Sequence, residues 1–408
     1  MAKVRKEDKL PLKLKQLGKI YQLIEQFEEI SRIDLSKLSR LAPATITALT
    51  RQLIDEKLII ERAVQNTESR GRPAVGLCVS PFYWQSICAI LIEDHFDILL
   101  CGLDGAPIEQ AIYPLHSDDF DHLDQFLLNC VQHFMSNIQP KLNHPMTFSI
   151  AVAGELDKST QNLVRLGKRT LDLNLRALFE PHFDIPILIT EYFQTWLYAE
   201  NTLGSVIGCD NVLFLQLDDV INLGVLVQGE LLYHKEYKKI NIDKLIVPKD
   251  NLLQELINIH LPELERYQLT NQITHKAIYQ LIDQLYPKNV LANKNDKIQF
   301  LCQKANDGDK SAVNILYFIA DTLAYVLMNL VNIFSSEKIM FSSSLLSAKD
   351  IFLPRLNATL AKNLVNTPHQ TEVVISQYQW NSPVVLTSAI KQGIYNGSLL
   401  THLIKSET

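Results

Sequence analysis

Residues 31–59 read SRIDLSKLSRLAPATITALTRQLIDEKLI and contain the clearest signals for helix starts in the N-terminal part of the chain. Ser31 is followed three residues later by an acidic residue, a pattern typical of a helix N-terminus, so a short helix is predicted here. We expect this helix to bury its three apolar side chains, Ile33, Leu35 and Leu38. Pro43 suits the first position of the next helix. Two helices joined by so tight a break are typical of a helix-turn-helix.

Two longer helices flank the short one. The helix before it is predicted from residues 16–28, whose apolar side chains recur at the spacing of one helical face. The helix after it is expected to run from Pro43 to about Lys57, with an apolar side and a polar side. Small hydroxyl residues followed by a basic residue on the polar side suit a helix in the major groove of DNA. The side chains predicted to contact DNA here are Arg32, Pro43, Thr45, Thr47, Arg51 and Gln52.

A hairpin is predicted after the third helix. Residues 58–62 and 74–79 both read as strands, and a polar loop joins them. The loop ends in RGRP at residues 70–73, an extended and doubly basic segment that suits a narrow minor groove. Arg70 and Arg72 are therefore predicted to contact DNA. An ordinary three-helix bundle with a polar outer face is the alternative interpretation, and the hairpin counts against it.

Charge is unevenly distributed along the 408 residues. The first 73 residues hold 15 lysines and arginines against 10 acidic residues, a net charge of +5, whereas the rest of the chain carries −11. A basic segment on an acidic body suits contact with phosphates. Chance clustering of lysines near the N-terminus explains the same numbers. Charge therefore supports DNA binding only in combination with the predicted helices.

Cysteine usage and hydropathy indicate a reduced, cytoplasmic protein. None of the six cysteines forms a C-x-x-C pair, so no zinc knuckle is predicted, and apolar surroundings favour free thiols. The N-terminus is charged and lacks the apolar segment of a signal peptide. Residues 311–334 form the most apolar stretch, but Asp321 interrupts it, and a membrane span needs about 20 apolar residues. We expect a buried core helix there and no stable membrane insertion.

The rest of the chain alternates between predicted strands and helices. Strands are expected near residues 87–103, 146–152 and 185–189, and later near 211–227 and 338–341. A mainly helical region is predicted from Asp250 to Phe334, and a single final helix from Pro383 to Leu403. This alternation predicts an α/β body in which helices cover a sheet.

The chain resembles the transcriptional repressors of the ROK family (repressor, open reading frame, kinase). The resemblance is carried by residues 31–59, by SRGRPAVGL at 69–77 and by YNGSLLTHLIK at 395–405. It implies a winged helix-turn-helix followed by a two-lobed, actin-like (ribonuclease-H-like) sugar-kinase body. The implied domains are 1–82 for the DNA-binding head, 83–195 completed by 380–408 for the first lobe, and 196–379 for the second lobe.

The residues that a ROK sugar kinase would need are largely replaced. The stretch matching the first phosphate loop, residues 92–97, has no glycine, and the second, residues 218–224, begins with two aspartates that would repel phosphates. Glu191 and Tyr192 stand where the family has a catalytic His-Asp pair. The chain is therefore predicted not to be an enzyme and to need no cofactor.

The family's zinc motif is also missing. The histidine ligand is replaced by Lys244, which is not a usual zinc ligand, and the cysteine cluster is absent, so no metal is predicted. Asn241 replaces a sugar-binding glutamate, and Glu255 is a weak match to the family's last sugar-contacting glutamate. The residues that the resemblance assigns to a ligand cleft are Gly154, Glu155, Asp157, Glu191, Asn241 and Glu255.

The resemblance implies a transcriptional regulator, either a repressor or an activator, of genes for sugar uptake or metabolism that binds a double-stranded DNA operator as a homodimer or tetramer. Its effector would be a sugar, a sugar phosphate or a protein of the phosphotransferase system, which silences some relatives by docking. The apolar residues of the C-terminal helix are expected to pack against the body. An active sugar kinase and a DNA-anchored interaction module with no small-molecule ligand are the alternatives.

Overall fold

The computed structural model describes eight segments of the chain, residues 10–63, 75–157, 160–167, 169–232, 240–287, 294–364, 371–378 and 382–404. The chain divides into two compact units. The first unit consists of Met1–Ala199 together with Tyr378–Thr408, and the second unit is Glu200–Gln377.

The first unit begins with three helices and a hairpin, which we call the head. Its elements are α1 (Leu12–Gln26), α2 (Arg32–Ser39), α3 (Pro43–Asp55), β1 (Ile59–Ala63) and β2 (Val75–Val79). The apolar face predicted for α1 is buried, with Leu17, Ile20 and Ile24 fully inaccessible. β1 and β2 are antiparallel, and Ala63 pairs with Val75 where the strands meet the intervening loop. This arrangement is a winged helix-turn-helix, as the sequence predicts.

The start and end of α2 follow local chemistry. The Ser31 side chain accepts a hydrogen bond from the Asp34 N–H group and caps the helix. Arg40 ends it in the left-handed conformation, and Pro43 occupies the first turn of α3. The expectation that α2 buries three apolar residues is wrong. Leu35 is buried, but Ile33 and Leu38 are 69% and 49% exposed, because so short a helix meets its neighbours along one narrow line.

A five-stranded sheet forms the centre of the remainder of the first unit, with strand order β10-β6-β3-β4-β5. β3, β6 and β10 are parallel, while β4 and β5 are antiparallel additions. Leu91, Val152 and Glu191 are in register, so the three parallel strands end at one edge. The strands and helices are β3 (Gln85–Leu91), β4 (His95–Gly102), β5 (Pro107–Pro114), α4 (Leu123–Ile138), β6 (Pro145–Val152), β7 (Gly154–Leu156), β8 (Asn162–Leu166), β9 (Arg169–Asn174), α5 (Leu175–Phe179), β10 (Ile187–Glu191) and α6 (Tyr192–Leu203).

The second unit is built on its own five-stranded sheet, with strand order β13-β12-β11-β14-β15. β11, β14 and β15 are parallel, and β12 returns antiparallel from β11 through a hairpin. The elements are β11 (Val212–Leu217), β12 (Ile221–Val227), β13 (Glu230–Leu231), α7 (Glu263–Arg266), α8 (Thr270–Ile273), α9 (His275–Leu285), α10 (Lys294–Asn306), α11 (Lys310–Phe334), β14 (Lys338–Ser342), α12 (Lys349–Asn363) and β15 (Glu372–Ile375).

The long apolar helix α11 belongs to the core of the second unit. Among the described residues it is the one helix that is long and apolar enough to cross a membrane, and 61% of its most apolar window is buried inside the protein. Its buried side chains join one apolar cluster with the sheet and helices α9, α10 and α12. The prediction of a core helix is confirmed.

The chain returns to the first unit through α13 (Pro383–Tyr395) and α14 (Leu400–Leu403). These two helices replace the single final helix that the sequence predicts. The break falls at Gly397, whose φ of +87° lies in the left-handed region that glycine adopts without strain. Ile390, Ile394 and Leu399 are buried, so the apolar side of this segment packs within the first unit as expected.

Candidate DNA-binding face and ligand sites

Helix α3 presents a polar face to solvent. Its apolar side, Ile46, Leu49 and Leu53, is buried in the head. On the other side Thr47 and Arg51 are exposed, and Arg51 makes no hydrogen bond or ion pair with any part of the chain that the structure describes. The other predicted DNA contacts on this helix are also accessible, with Pro43 exposed and Thr45 and Gln52 half-buried. These side chains lie where a major groove could receive them.

The Thr47 hydroxyl is already engaged with its own helix. It donates to the Pro43 carbonyl oxygen at 2.9 Å, one turn earlier. Since a hydroxyl oxygen has further acceptor capacity, the exposed side of Thr47 is left to accept a hydrogen bond from a base donor. A phosphate, which offers only acceptors, is a poorer partner for this oxygen.

Arg32, by contrast, is occupied inside the head. Its Nε donates to the Thr50 hydroxyl at 2.9 Å, and its terminal nitrogen lies 2.6 Å from a carboxylate oxygen of Glu61. Thr50 is fully buried on α3, and Glu61 lies on β1. The Arg32 guanidinium therefore links α2 to α3 and to β1. No local sequence pattern predicts this role, because the partners of Arg32 are 18 and 29 positions away.

Arg70 and Arg72 lie outside the described residues, between the end of β1 and the start of β2 in the sequence. The strands that flank the loop are described and pair along their whole length. The predicted minor-groove contact of the two arginines stays a prediction.

Three of the six predicted cleft residues shape a turn that follows β6. A Cβ atom on Gly154 would lie 2.2 Å from the Arg165 carbonyl oxygen, so the pairing of β7 with β8 requires glycine. The Glu155 carboxylate forms a salt bridge with Arg165. The Asp157 carboxylate accepts from the Thr160 N–H and hydroxyl groups at 3.0 and 3.1 Å.

Glu191 ends β10 and is buried, with 5% of its surface exposed. One carboxylate oxygen lies 3.4 Å from the Leu156 N–H group. Burial raises the pKa of the neighbouring Tyr192 hydroxyl far above its ordinary range, so this side chain stays neutral. Glu191 thus sits at the carboxyl edge of the parallel strands, where α/β proteins commonly bind ligands, and it also braces β7.

In the second unit, the residues at the family's zinc position do not fit zinc. Residues 240–250 contain no cysteine and no histidine, and the Asn241 side chain accepts from the Asp243 N–H group at 2.8 Å, a local turn. No group of three or more metal-binding side chains occurs among the described residues. The donor set therefore offers no ligand arrangement through which zinc chemistry could run.

Glu255 is engaged by its neighbours in the same unit. Its two carboxylate oxygens lie 2.6 Å from Arg266 and 2.7 Å from the Tyr267 hydroxyl, and Lys249 is 3.7 Å away. The hydrogen bond from Tyr267 and the charge of Arg266 hold the pKa of Glu255 below its ordinary value. A sugar hydroxyl at this carboxylate would have to compete with a charge-assisted pair.

The hairpin that replaces the second phosphate loop is bonded internally. One Asp218 carboxylate oxygen accepts from the Ser344 N–H group at 3.0 Å and lies 3.4 Å from His275 Nε2. The same His275 nitrogen lies 3.1 Å from the Ser344 hydroxyl. Burial raises the pKa of Asp218 and lowers that of His275. Of these three residues, only Asp218 is singled out by its sequence, as the first of the two aspartates at residues 218–224.

The register of the sheet explains this cluster. Gln216 on β11 is paired with Ser342 on β14, so the residues two positions later, Asp218 and Ser344, leave the same edge together. Parallel neighbouring strands with polar residues just after them are a signal that sequence reasoning could have used. The N–H group of Ser344, at the start of a short 3-10 helix, would suit a phosphate, and Asp218 fills that role with a carboxylate.

A winged head followed by α/β units with mixed sheets is the architecture of a DNA-binding protein built on a sugar-kinase-like body. Residues 94–234 and 269–390 match the model of the ROK family, and the chain belongs to that family.

Named relatives agree with this assignment. The chain is 26% identical to the DNA-binding transcriptional repressor Mlc of Escherichia coli K12 and 23% identical to the transcriptional dual regulator NagC of the same strain, over 95% of each chain in both comparisons. The solved structure of a ROK family transcriptional regulator, a homolog of the E. coli Mlc protein, matches with a TM-score of 0.79 and 25% identity over 96% of this chain and 99% of that one. The predicted resemblance to the transcriptional repressors of the ROK family is confirmed.

A ROK hexokinase from Thermus thermophilus shares the fold of the body. It matches with a TM-score of 0.60 and 14% identity over 78% of this chain and 99% of its own. The predicted fold class, a winged helix-turn-helix with a sugar-kinase-like body, is confirmed.

Proposed function

We propose that the chain is a sequence-specific transcriptional regulator, a repressor of genes for sugar uptake or metabolism, with residues 1–82 as its DNA-binding domain. The open polar face of α3 carries this proposal, because its exposed Arg51 has no partner among the described residues while the opposite side of the helix is buried. Thr45, Thr47, Arg51 and Gln52 contact base edges or phosphates. The similarity to Mlc and NagC, both named as transcriptional regulators, supports the same conclusion.

Selection from random double-stranded DNA tests this function. Full-length protein is expected to enrich one sequence family, and titration of that DNA across a salt series, against scrambled competitor, gives the specificity. Specific binding by a protein of this kind exceeds non-specific binding by about a thousandfold or more. If no sequence is preferred over scrambled DNA at any salt concentration, the proposal is wrong.

We propose that the chain does not transfer phosphate. The internal bonds of Asp218 with Ser344 and the proximity of His275 support this, since the position that would hold a nucleotide phosphate carries a carboxylate instead. The replacement of the family's catalytic His-Asp pair by Glu191 and Tyr192 points the same way. An assay for ADP release with glucose or N-acetylglucosamine is expected to stay at background, and steady turnover would contradict the proposal.

Regulation is proposed to come from a sugar-derived ligand or from a protein partner in the cytoplasm. Glu255 and Asp157 are engaged with neighbouring side chains, which favours the partner over a sugar bound as in the kinases. Thermal-shift measurements with glucose, N-acetylglucosamine and their 6-phosphates separate the two, because a ligand of the native state raises the midpoint. A higher midpoint with one sugar identifies that sugar as the ligand. We then expect the same sugar to release the protein from operator DNA.

A further inference from the structure

The head is joined to the body of the first unit by a close helix crossing, which we call the joint. It is formed by α1 and by the C-terminal segment α13–α14. A Cβ atom on Gly18 of α1 would lie 2.2 Å from the Tyr395 carbonyl oxygen and 2.4 Å from that of Ile394. On the other side of the crossing, a Cβ on Gly397 would lie 2.9 Å from the backbone of Leu14. The two backbones therefore touch, and side chains larger than hydrogen would separate them.

A buried ion pair lies inside this joint. Glu25 of α1 forms a salt bridge with Lys391 of α13, and the two side chains are only 8% and 6% exposed. The other Glu25 oxygen accepts from the Tyr395 hydroxyl at 2.5 Å. Burial, and then the charge of Glu25, raises the pKa of Tyr395 well above its ordinary value, so the hydroxyl keeps its proton and remains a donor.

Such an arrangement fixes orientation more than it adds stability. Removing two charges from water costs about as much as their attraction returns, so a buried pair is weak evidence for stabilisation. Its partners must nevertheless meet in one geometry, since either charge alone would be buried without compensation. With the ring of Tyr21 6.1 Å from that of Tyr395, the joint holds α1 in one register on α13.

The far side of α13 is attached to the central sheet of the unit. The Ser388 hydroxyl donates to the Thr195 carbonyl oxygen in α6. The helix also packs against β3, β6 and β10, the parallel strands of the sheet. The ion pair thus lies where α1 of the head meets a helix that is itself packed on the central sheet.

We propose that Glu25, Lys391 and Tyr395 determine which spacing of operator half-sites the regulator accepts. This inference rests on the proposed function and on the expectation, implied by the family resemblance, that two copies of the chain read two half-sites of one operator. When each head has a fixed orientation on its body, the distance and rotation between two heads are fixed, and so is the half-site spacing that both can reach. A loosened joint would let the heads reach other spacings.

The test uses a palindromic operator selected from random DNA by the full-length wild-type protein. The operator is then synthesised with no insertion and with five base pairs inserted at its centre, which turns one half-site to the opposite face of the duplex. For the wild type we expect the insertion to weaken binding about 100-fold, because the second head can no longer engage. A single half-site gives the reference affinity of one head.

The decisive variant is the double substitution Glu25→Gln with Lys391→Met, which removes both charges and leaves neither unpaired. It is expected to keep the wild-type affinity for a single half-site and to lose less than about tenfold on the insertion. Tyr395→Phe removes only the hydrogen bond to Glu25 and is expected to act in the same direction, more weakly. Glu28→Gln, the same change at an exposed position three residues further on, is the matched control and should behave as wild type.

The outcomes separate this inference from the proposed function. A folded double variant that discriminates against the insertion as sharply as the wild type overturns the inference, and so does a wild type that tolerates the insertion. Should the double variant not fold, Tyr395→Phe decides in the same way. Failure of the proposed function looks different, since selection would then give no preferred DNA at all.

Discussion

Helix α3 and the hairpin at Asp218 each carry a charged side chain, and the two side chains differ in whether they have a partner within the described chain. On α3 Arg51 has no partner within the described chain, whereas Asp218 is hydrogen-bonded to Ser344 and lies close to His275. A polar group with an internal partner stabilises the fold, and one without is available to another molecule. The head therefore has a polar surface available to another molecule. The hairpin that matches the phosphate loop of the kinases does not, because its Asp218 side chain is bonded within the chain.

Among the substitutions that test this difference, we expect Arg51→Ala to have the largest effect, on operator affinity. Operator binding should weaken by up to about 3 kcal/mol if Arg51 reads a base, and the thermal midpoint should not change because no internal contact is lost. Competition titrations on the selected operator and a melting curve measure both quantities. Lys19→Ala removes the same charge from the exposed side of α1 and is the control. Equal losses in the two variants would mean that Arg51 contributes only general charge.

Asp218→Ala tests the internal bonding of the hairpin at residues 218–224. It leaves the Ser344 N–H group without its acceptor, and we expect a loss of about 2 kcal/mol in the free energy of unfolding with operator affinity unchanged. Asp218→Asn is the matched variant. It keeps an acceptor oxygen and removes a charge that burial disfavours, so it should be at least as stable as the wild type at neutral pH. Urea titrations of the three proteins decide, and equal destabilisation by both variants would contradict the assigned hydrogen bond.

The two regions also differ in how far the sequence predicts them. The helices of the head are specified by local patterns, namely the cap at Ser31, Pro43 and the apolar repeat of α1. The joint is not, since Glu25 and Tyr395 are 370 positions apart, and a buried charge there looks like any other surface glutamate. The exposure of Ile33 shows the reverse error, because periodicity tells which residues share a face but not whether a neighbour covers it.

The cluster of Asp218, His275 and Ser344 can be predicted from the sequence less well than the helices of the head and better than the joint. The two aspartates that begin the hairpin are visible in the sequence, and their charge predicts that the hairpin does not bind phosphate. Its pairing with Ser344 depends on the order of strands β11 and β14, which the sequence does not state. Predicting which residues fill a lost site therefore requires the sheet topology as well as the residue types.

Arg32 is an intermediate case and gives a smaller expected effect. By contacting both Thr50 and Glu61, Arg32 would hold α3 against β1. A half-exposed ion pair of this kind contributes about 0.5 kcal/mol to stability. Glu61→Gln should therefore weaken operator binding slightly, with an unchanged dependence on salt. If Arg32 contacts phosphate directly, the same substitution would release it, tighten binding and steepen the salt dependence. The sign of the change thus distinguishes positioning from contact.

The smallest expected effect concerns the cap of α2, where the hydrogen bond from Ser31 and then that from Lys37 hold the pKa of Asp34 below its ordinary value. A carboxyl group with a lowered pKa in the folded state stabilises the protein above its unfolded pKa, about 3.9, and loses this contribution as pH falls through the folded value. The midpoint difference between wild type and Asp34→Asn should therefore be constant near neutral pH and vanish in acid. Because Asp34 is exposed, added salt should reduce the part of the difference due to Lys37 and leave the part due to Ser31. A difference that grows on acidification would show that another group titrates there, and that the cap does not depend on the charge of Asp34.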